Sequence, residues 1–206
     1  MPISPRHPLL TSLVNTLRDI TLSPLVFRHT IHEITKLLAY EGLRDVGLSP
    51  IRINTWRGED TFEYIDESSM MVISVLRAAL PMHEALIETL PGAVSGFLGM
   101  RRDEQTYRSV LYYDRVGDCT GKTVIIVDPM VATGGSLCDA IEIVKRKGAE
   151  KVITLNIIAS PEGIDAVEKA YPDVTIVIAQ IDAKLNENKF IIPGLGDAGD
   201  RAFNTL

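Results

Sequence analysis

The residues with the clearest capacity for chemistry lie between Asp128 and Ser136. Asp128 follows the run Val124, Ile125, Ile126 and Val127, and after it come Ala132, Thr133, Gly134, Gly135 and Ser136. An unbroken β-branched run suggests a strand buried on both faces of a parallel sheet. An acid at its carboxyl end occupies the place where open α/β sheets hold their ligands. The loop beyond is small, hydroxylated and glycine-containing, and it runs into Leu137, Ala140, Ile141 and Val144, whose spacing is helical. A strand, such a loop and a helix start offer free backbone N–H groups and a positive dipole end, which suit a phosphate. The segment lacks the Gly-Lys-Ser/Thr ending of a triphosphate loop, and its glycines are not spaced for a dinucleotide, so another phosphate ligand is implied.

Three further places carry chemistry. Arg77 follows the apolar run Met70 to Leu76 at the expected carboxyl edge of the sheet, where a guanidinium can fork onto a pyrophosphate with two charge-assisted hydrogen bonds. Arg102 lies in the charged turn from Arg101 to Thr106, between the extended segments Val94–Met100 and Tyr107–Val116. The run Phe190 to Arg201 combines Ile191, Ile192 and Leu195, which ask for burial, with Pro193, Gly194, Gly196 and Gly199, which oppose regular structure. An ordered loop is expected there, with backbone groups free to read the planar edge of a pyrimidine. His29 and His32 stand one helical turn apart without an apparent third metal ligand, and they read as solvated helix residues. Cys119 and Cys138 lack the partners of a zinc site or disulfide framework.

The elements that must position these groups alternate in type. Helices are expected over Leu9–Asp19 and from Pro24 onward, the latter with Phe27, Ile31, Ile34, Leu37 and Leu38 on its packing face. Ile51–Trp56 and Thr61–Ile65 read as a hairpin, and residues of about 98–117 as a projecting β-hairpin arm that could cover a site or embrace a partner. Lys151–Ser160 continues the sheet, Pro161–Tyr171 supplies a crossover helix and Val174–Ala179 the last strand. This alternation predicts an α/β fold with a doubly wound, mainly parallel sheet, a helical N-terminal region and a C-terminal tail over residues 181–206.

The segment from Asp128 to Ser136 resembles the phosphoribosyl pyrophosphate (PRPP) loop of type I phosphoribosyltransferases. Its Asp-Pro-Met start, in place of two adjacent acids, is similar to the uracil branch. Leu76-Arg77-Ala78-Ala79-Leu80 resembles the pyrophosphate loop of that branch, with Ala79 where the family has glycine; a positive φ there would strain alanine. Arg101 to Thr106 resembles its hood. Phe190 to Arg201 is similar to its carboxy-terminal signature, with Phe190 for tyrosine. The resemblance to uracil phosphoribosyltransferases runs from about His7 to Leu206. It implies PRPP contacts from Arg77, Arg102, Asp128, Pro129, Met130, Val131, Ala132, Thr133, Gly134, Gly135, Ser136 and Asp197, with Asp128 on the ribose hydroxyls and Ala132 to Ser136 around the 5'-phosphate. It implies uracil contacts from Ile191, Gly196, Asp197 and Ala198, with Met130 and Ala132 lining the base pocket. Asp128, Arg77 and Asp197 are then the catalytic candidates. Mg²⁺ is the implied cofactor, with Asp197 its protein ligand, directly or through water. The implied products are UMP and diphosphate. A homodimer or higher oligomer and GTP as an effector are further expectations.

With 206 residues the chain is long enough for one substantial core, and one domain over 1–206 is expected. Its net charge of −6 opposes broad binding to nucleic acid or an anionic membrane, so an anionic substrate must meet local positive groups. No apolar run approaches the ~18 residues of a bilayer span, and Met1 to Leu10 lacks a signal-peptide core, so a cytoplasmic location is expected. A non-catalytic PRPP- or UMP-sensing regulator of the same fold, and a phosphoribosyltransferase for another base, are the alternative readings.

Overall fold

The computed structural model describes residues 2–102 and 109–205, with Arg102 described by its backbone alone. The first two helices are α1 (Pro8–Leu17) and α2 (Pro24–Gly42). Each has proline at its first turn, where a missing N–H costs nothing, and a side-chain cap from His7 or Ser23. A separate antiparallel hairpin follows, β1 (Leu48–Thr55) with β2 (Gly58–Ile65). The main sheet then begins with β3 (Met70–Leu76), followed by α3 (Leu80–Thr89), β4 (Val94–Arg102) and β5 (Ser109–Arg115).

Next come β6 (Thr123–Val127), the two-residue β7 (Met130–Val131), α4 (Gly135–Arg146), β8 (Lys151–Ala159), α5 (Pro161–Ala170) and β9 (Thr175–Ile181). The strand order is β5-β4-β3-β6-β8, with β7 and β9 also paired to β8. Only β5 is antiparallel. Side chains alternate across β3: Met70 and Val72 join the cluster formed with α1, α2 and α3, whereas Met71, Ile73 and Val75 join the cluster with α4 and α5. Helices on both faces therefore bury the central strands completely, which is the doubly wound arrangement the alternation predicts.

The N–H groups of Ile157 and Ile158 both donate to the Pro129 carbonyl, at 3.1 and 3.0 Å, where β8 passes from pairing with β6 to pairing with β7 without a change of register. At this point β6 ends and β7 begins, with Asp128 and Pro129 between them. Sequence periodicity does not show β7, because a two-residue strand has no period.

The tail is more regular than expected. It contains β10 (Lys184–Leu185) paired with β11 (Ile191–Ile192), and the short helix α6 (Ala198–Phe203). Gly194 and Gly196, at φ of +67° and +79°, absorb the turns before the helix, and Asp197 caps it by accepting from the Asp200 N–H at 2.9 Å. The expectation for His32 is also corrected. α2 packs against α3, which brings the Glu88 carboxylate to 3.1 Å from His32 Nε2, so the ring is half-buried and paired rather than solvated. Among the described residues, no helix is long and apolar enough to cross a membrane.

Candidate active site

The sheet register brings the predicted groups to one edge. Ser74 of β3 pairs with Val127 of β6, so Asp128 and the segment from Val75 to Arg77 leave adjacent strands together. Leu76 pairs with Gly99, which places the end of β4 beside them. The Arg102 side chain and the remaining hood residues Asp103 to Thr106 lie outside the described residues. Leu76 and Arg77 are joined by a cis peptide bond. Ala79 adopts φ of −82° and caps α3, so the loop does not need a positive φ where the family has glycine.

Asp128 and residues 130–137 enclose a cavity of about 80 Å³. Gly134 adopts φ of +80° at the start of α4, and a Cβ there would come within 2.7 Å of the Gly163 carbonyl oxygen. A side chain is excluded on both counts, and the loop passes close to α5 as a result. The Asp128 carboxylate accepts from the Met130 N–H at 3.2 Å. Burial nevertheless pushes its pKa from 3.8 up to about 7, because desolvation outweighs that one bond. The Asp128 carbonyl is held from behind by Asn156 Nδ2 at 2.7 Å, and Thr154 Oγ1 donates to Asn156 Oδ1 at 3.0 Å. Asn156 and Thr154 are fully buried, and no local motif announces that role. A larger hollow of about 1020 Å³, lined by the N-terminal segment, α1 and the end of β9, contains none of the predicted site residues.

The tail reaches the same edge through contacts distant in sequence. Arg77 Nη2 donates to Asp200 Oδ1 at 3.1 Å and to Thr205 Oγ1 at 3.4 Å. A Cβ on Gly199 would lie 3.3 Å from Asp197 Oδ1 and 3.8 Å from Ala78 Cβ, so α6 packs against the Arg77 loop. Ile191, Leu195 and Ala198 share one apolar cluster with Ala78, Met130 and Ala132. Ile191, Ala198, Met130 and Ala132 are base-site positions read from sequence, Ala78 and Leu195 belong to the two loops read beside them, and all six come together here. Asp197 and Gly196 remain exposed at the mouth.

The N-terminal helices hold the tail in place. Arg18 forms a two-pronged pair with the buried Asp182, at 2.6 and 2.9 Å, and donates to the Gly194 carbonyl at 2.5 Å. Asp182 in turn accepts from the Gly194 N–H at 2.9 Å. Arg201 lies over the Phe27 ring, 4.3 Å from its centroid, and donates to the carbonyls of Leu17 and Leu195. Arg28 donates to the Ala202 carbonyl at 2.6 Å. Sequence reading treats α1 and α2 as packing faces. It misses the contacts of Arg18, Arg28, Asp182 and Asp200, because partners 123 to 174 positions apart leave no local signal.

The arrangement offers an acid beside a small cavity walled by the glycine-containing loop, a half-exposed arginine just beyond the end of the adjoining strand, and a tail whose backbone and carboxylate close the third side. Comparison with known proteins agrees over nearly the whole chain. The family model described as uracil phosphoribosyltransferase matches residues 4–205. The chain is 41% identical over 200 residues to the uracil phosphoribosyltransferase of Thermoanaerobacter sp. (strain X514), covering 97% of this chain and 95% of that one. It is 40% identical to the enzyme of that name from Deinococcus radiodurans, with the same coverage. A solved structure of a protein from Aquifex aeolicus matches with a TM-score of 0.97 at 38% identity, covering 100% of this chain and 99% of the other. A purine phosphoribosyltransferase from Pyrococcus horikoshii, with a TM-score of 0.51 at 19% identity over 75% of this chain and 84% of its own, shares the fold alone. The chain belongs to the uracil phosphoribosyltransferase family.

Proposed function

We propose that the protein transfers the 5-phosphoribosyl group of PRPP to N1 of uracil, giving UMP and diphosphate. The observation that carries this reading is the meeting of the Asp128 cavity, the Arg77 loop and the α6 tail at one edge of the sheet. Family membership over residues 4–205 supports it. The reading takes residues 1–206 as one phosphoribosyltransferase domain.

In this reaction the bond between ribose C1' and the diphosphate oxygen breaks as the bond from uracil N1 forms; the oxygen leaves with the electron pair, and the proton that N1 carried is released to solvent water. Positive charge develops on the sugar and negative charge on the leaving group, so positioning and electrostatics dominate. Arg77 and Arg102 take the diphosphate, and Arg77 exchanges its contact with Asp200 for it. Asp128 accepts from the ribose hydroxyls, and these new donors replace the solvation its carboxylate lacks. The cavity from Ala132 to Ser136 holds the 5'-phosphate, with Pro129, Met130 and Val131 leading into it. Ile191, Gly196, Asp197 and Ala198 read the base edge, over an apolar floor that includes Met130 and Ala132. Asp128 is the one ionisable side chain in the cavity wall among the described residues.

The donor set fits a Mg²⁺ ion that arrives on the substrate. Among the described residues no group of three or more His, Cys, Asp or Glu could hold a metal, whereas Asp197 keeps one carboxylate oxygen beyond the one that caps α6. Mg²⁺ favours substrate phosphates and waters over an all-protein cage, and bound there it would neutralise the leaving diphosphate. Asp197 would hold it, directly or through water.

Self-association is part of the proposal. β5 exposes Leu111, Tyr112 and Tyr113, and the β1–β2 hairpin exposes Leu48, Ile51, Phe62 and Tyr64, which suits arms that embrace a second copy. The test is UMP formation from radiolabelled uracil and PRPP with Mg²⁺, with and without GTP, against a no-metal control and a panel of cytosine, hypoxanthine and orotate. Metal-dependent UMP is expected, and GTP stimulation would identify it as an effector. No product despite PRPP and uracil binding would overturn the enzyme in favour of a sensor of the same fold.

A further inference from the structure

Ser160 stands between β8 and α5 as the N-cap of that helix, and it is fully buried. Its hydroxyl is used twice. Oγ accepts from the Gly163 N–H at 2.9 Å, which caps the helix, and donates to the Ala132 carbonyl at 2.6 Å. The Ser160 N–H also donates to the Val131 carbonyl at 3.0 Å. Two successive carbonyls of the phosphate loop are thus drawn to one residue outside it. In a planar trans peptide the C=O and the following N–H point in opposite directions. Holding the carbonyls of Val131 and Ala132 on Ser160 therefore turns the N–H groups of Ala132 and Thr133 away from it. Both residues wall the cavity, so these N–H groups are the donors a phosphate would meet.

Capping alone does not need this geometry. Ser23 caps α2 by accepting from the Val26 N–H, and an acceptor is all a cap requires. The donating half of Ser160 is surplus to the helix and directed at the loop. The fit is close: a Cβ on Gly163 would stand 2.8 Å from the Val131 carbonyl oxygen and overlap that of Ala132. The first turn of α5 is thus pressed against the loop, and Ser160 supplies the hydrogen bond between them.

We propose that Ser160 is a positioning residue for the phosphate cradle, orienting the Ala132–Thr133 peptide and so setting affinity for a phosphate monoester without touching it. This rests on the reading of the cavity as the 5'-phosphate site. The test compares Ser160→Ala, Ser160→Thr and the control cap variant Ser23→Ala in the full chain. Three quantities are measured: amide hydrogen exchange of residues 130–135 without ligand, calorimetric affinity for UMP, and affinity for diphosphate with Mg²⁺. Losing a buried neutral hydrogen bond should weaken UMP binding about tenfold in Ser160→Ala. Diphosphate affinity should be unchanged, exchange at Ala132 and Thr133 faster, and Ser160→Thr should restore both. Ser23→Ala should lower the melting temperature with UMP affinity intact. Ser160→Ala with wild-type exchange and UMP affinity would overturn the proposal, as would equal weakening of UMP and diphosphate. If the wild type binds no UMP, the substrate reading fails, and the exchange comparison alone decides whether Ser160 orients the loop.

Discussion

Replacing Asp128 by asparagine is expected to stabilise the protein at neutral pH and abolish its activity. The carboxyl stands in a protein-walled cavity with one backbone N–H as its hydrogen-bond partner, and burial raises its pKa from 3.8 to about 7. An acid whose pKa is raised in the folded state keeps a proton that the unfolded chain gives up. Its contribution to stability is fully present below about pH 4 and is lost as pH rises through about 7. At about 1.4 kcal/mol per pH unit the loss approaches about 4 kcal/mol, and residual exposure of Asp128 to the cleft brings it nearer to about 2 kcal/mol. Asparagine keeps an oxygen for the Met130 N–H and does not ionise. The stability gap between Asp128→Asn and wild type should therefore widen from pH 5 to pH 8, measured by urea denaturation at several pH values. PRPP affinity of the variant should fall about tenfold or more, because hydrogen bonds from the ribose hydroxyls to a charged acceptor are lost. A gap that stays constant between pH 5 and pH 8 would refute the argument that burial of this carboxyl is held against its ionisation.

Other substitutions separate scaffold from chemistry. Asp197→Asn keeps a side-chain acceptor for the Asp200 N–H, so thermal melting should be close to wild type while UMP formation is lost; wild-type turnover would remove Asp197 from the site. Arg77→Ala breaks a half-exposed pair with Asp200 worth about 0–1 kcal/mol, yet calorimetry should show diphosphate affinity reduced at least about tenfold. Unchanged affinity would strike Arg77 from the list. Asp182→Ala removes both carboxylate bonds from Arg18, which keeps its bonds to Asn15 and the Gly194 carbonyl, and leaves the buried Gly194 N–H without its acceptor, at a cost of about 1–3 kcal/mol. Hydrogen exchange should rise across residues 191–197 and uracil binding should weaken, whereas a tail as protected as in wild type would refute the anchoring role.

Much of the fold was legible because its signals are local. The run Val124 to Val127 ends in Asp128 as a buried strand would, and β3 spans Met70–Leu76 as the apolar run predicts. The prolines at Pro8, Pro24 and Pro161 mark first helical turns through a fixed φ. The exceptions have physical causes. β7 is too short for a period, and α6 was hidden because Gly194 and Gly196 serve the turns before it while Gly199 is accommodated inside the helix. The condition under which Ala79 would be strained, a positive φ, does not arise, because that residue sits in the α region.

The candidate site divides in the same way. Residue type and spacing were enough to single out Asp128, Arg77, the small-residue loop and the tail, because backbone donors, a forked cation and a carboxylate each write their chemistry into a few consecutive positions. Tertiary structure alone decided what holds those segments in register: Arg18 and Asp182 pinning Gly194, Asn156 behind the Asp128 carbonyl, Ser160 on the Ala132 carbonyl and Asp200 on Arg77. Burial likewise decided that Asp128 titrates near neutrality. A hydrogen bond or a desolvation cost depends on distance in space, and when the partners are scores of residues apart only the folded chain sets that distance.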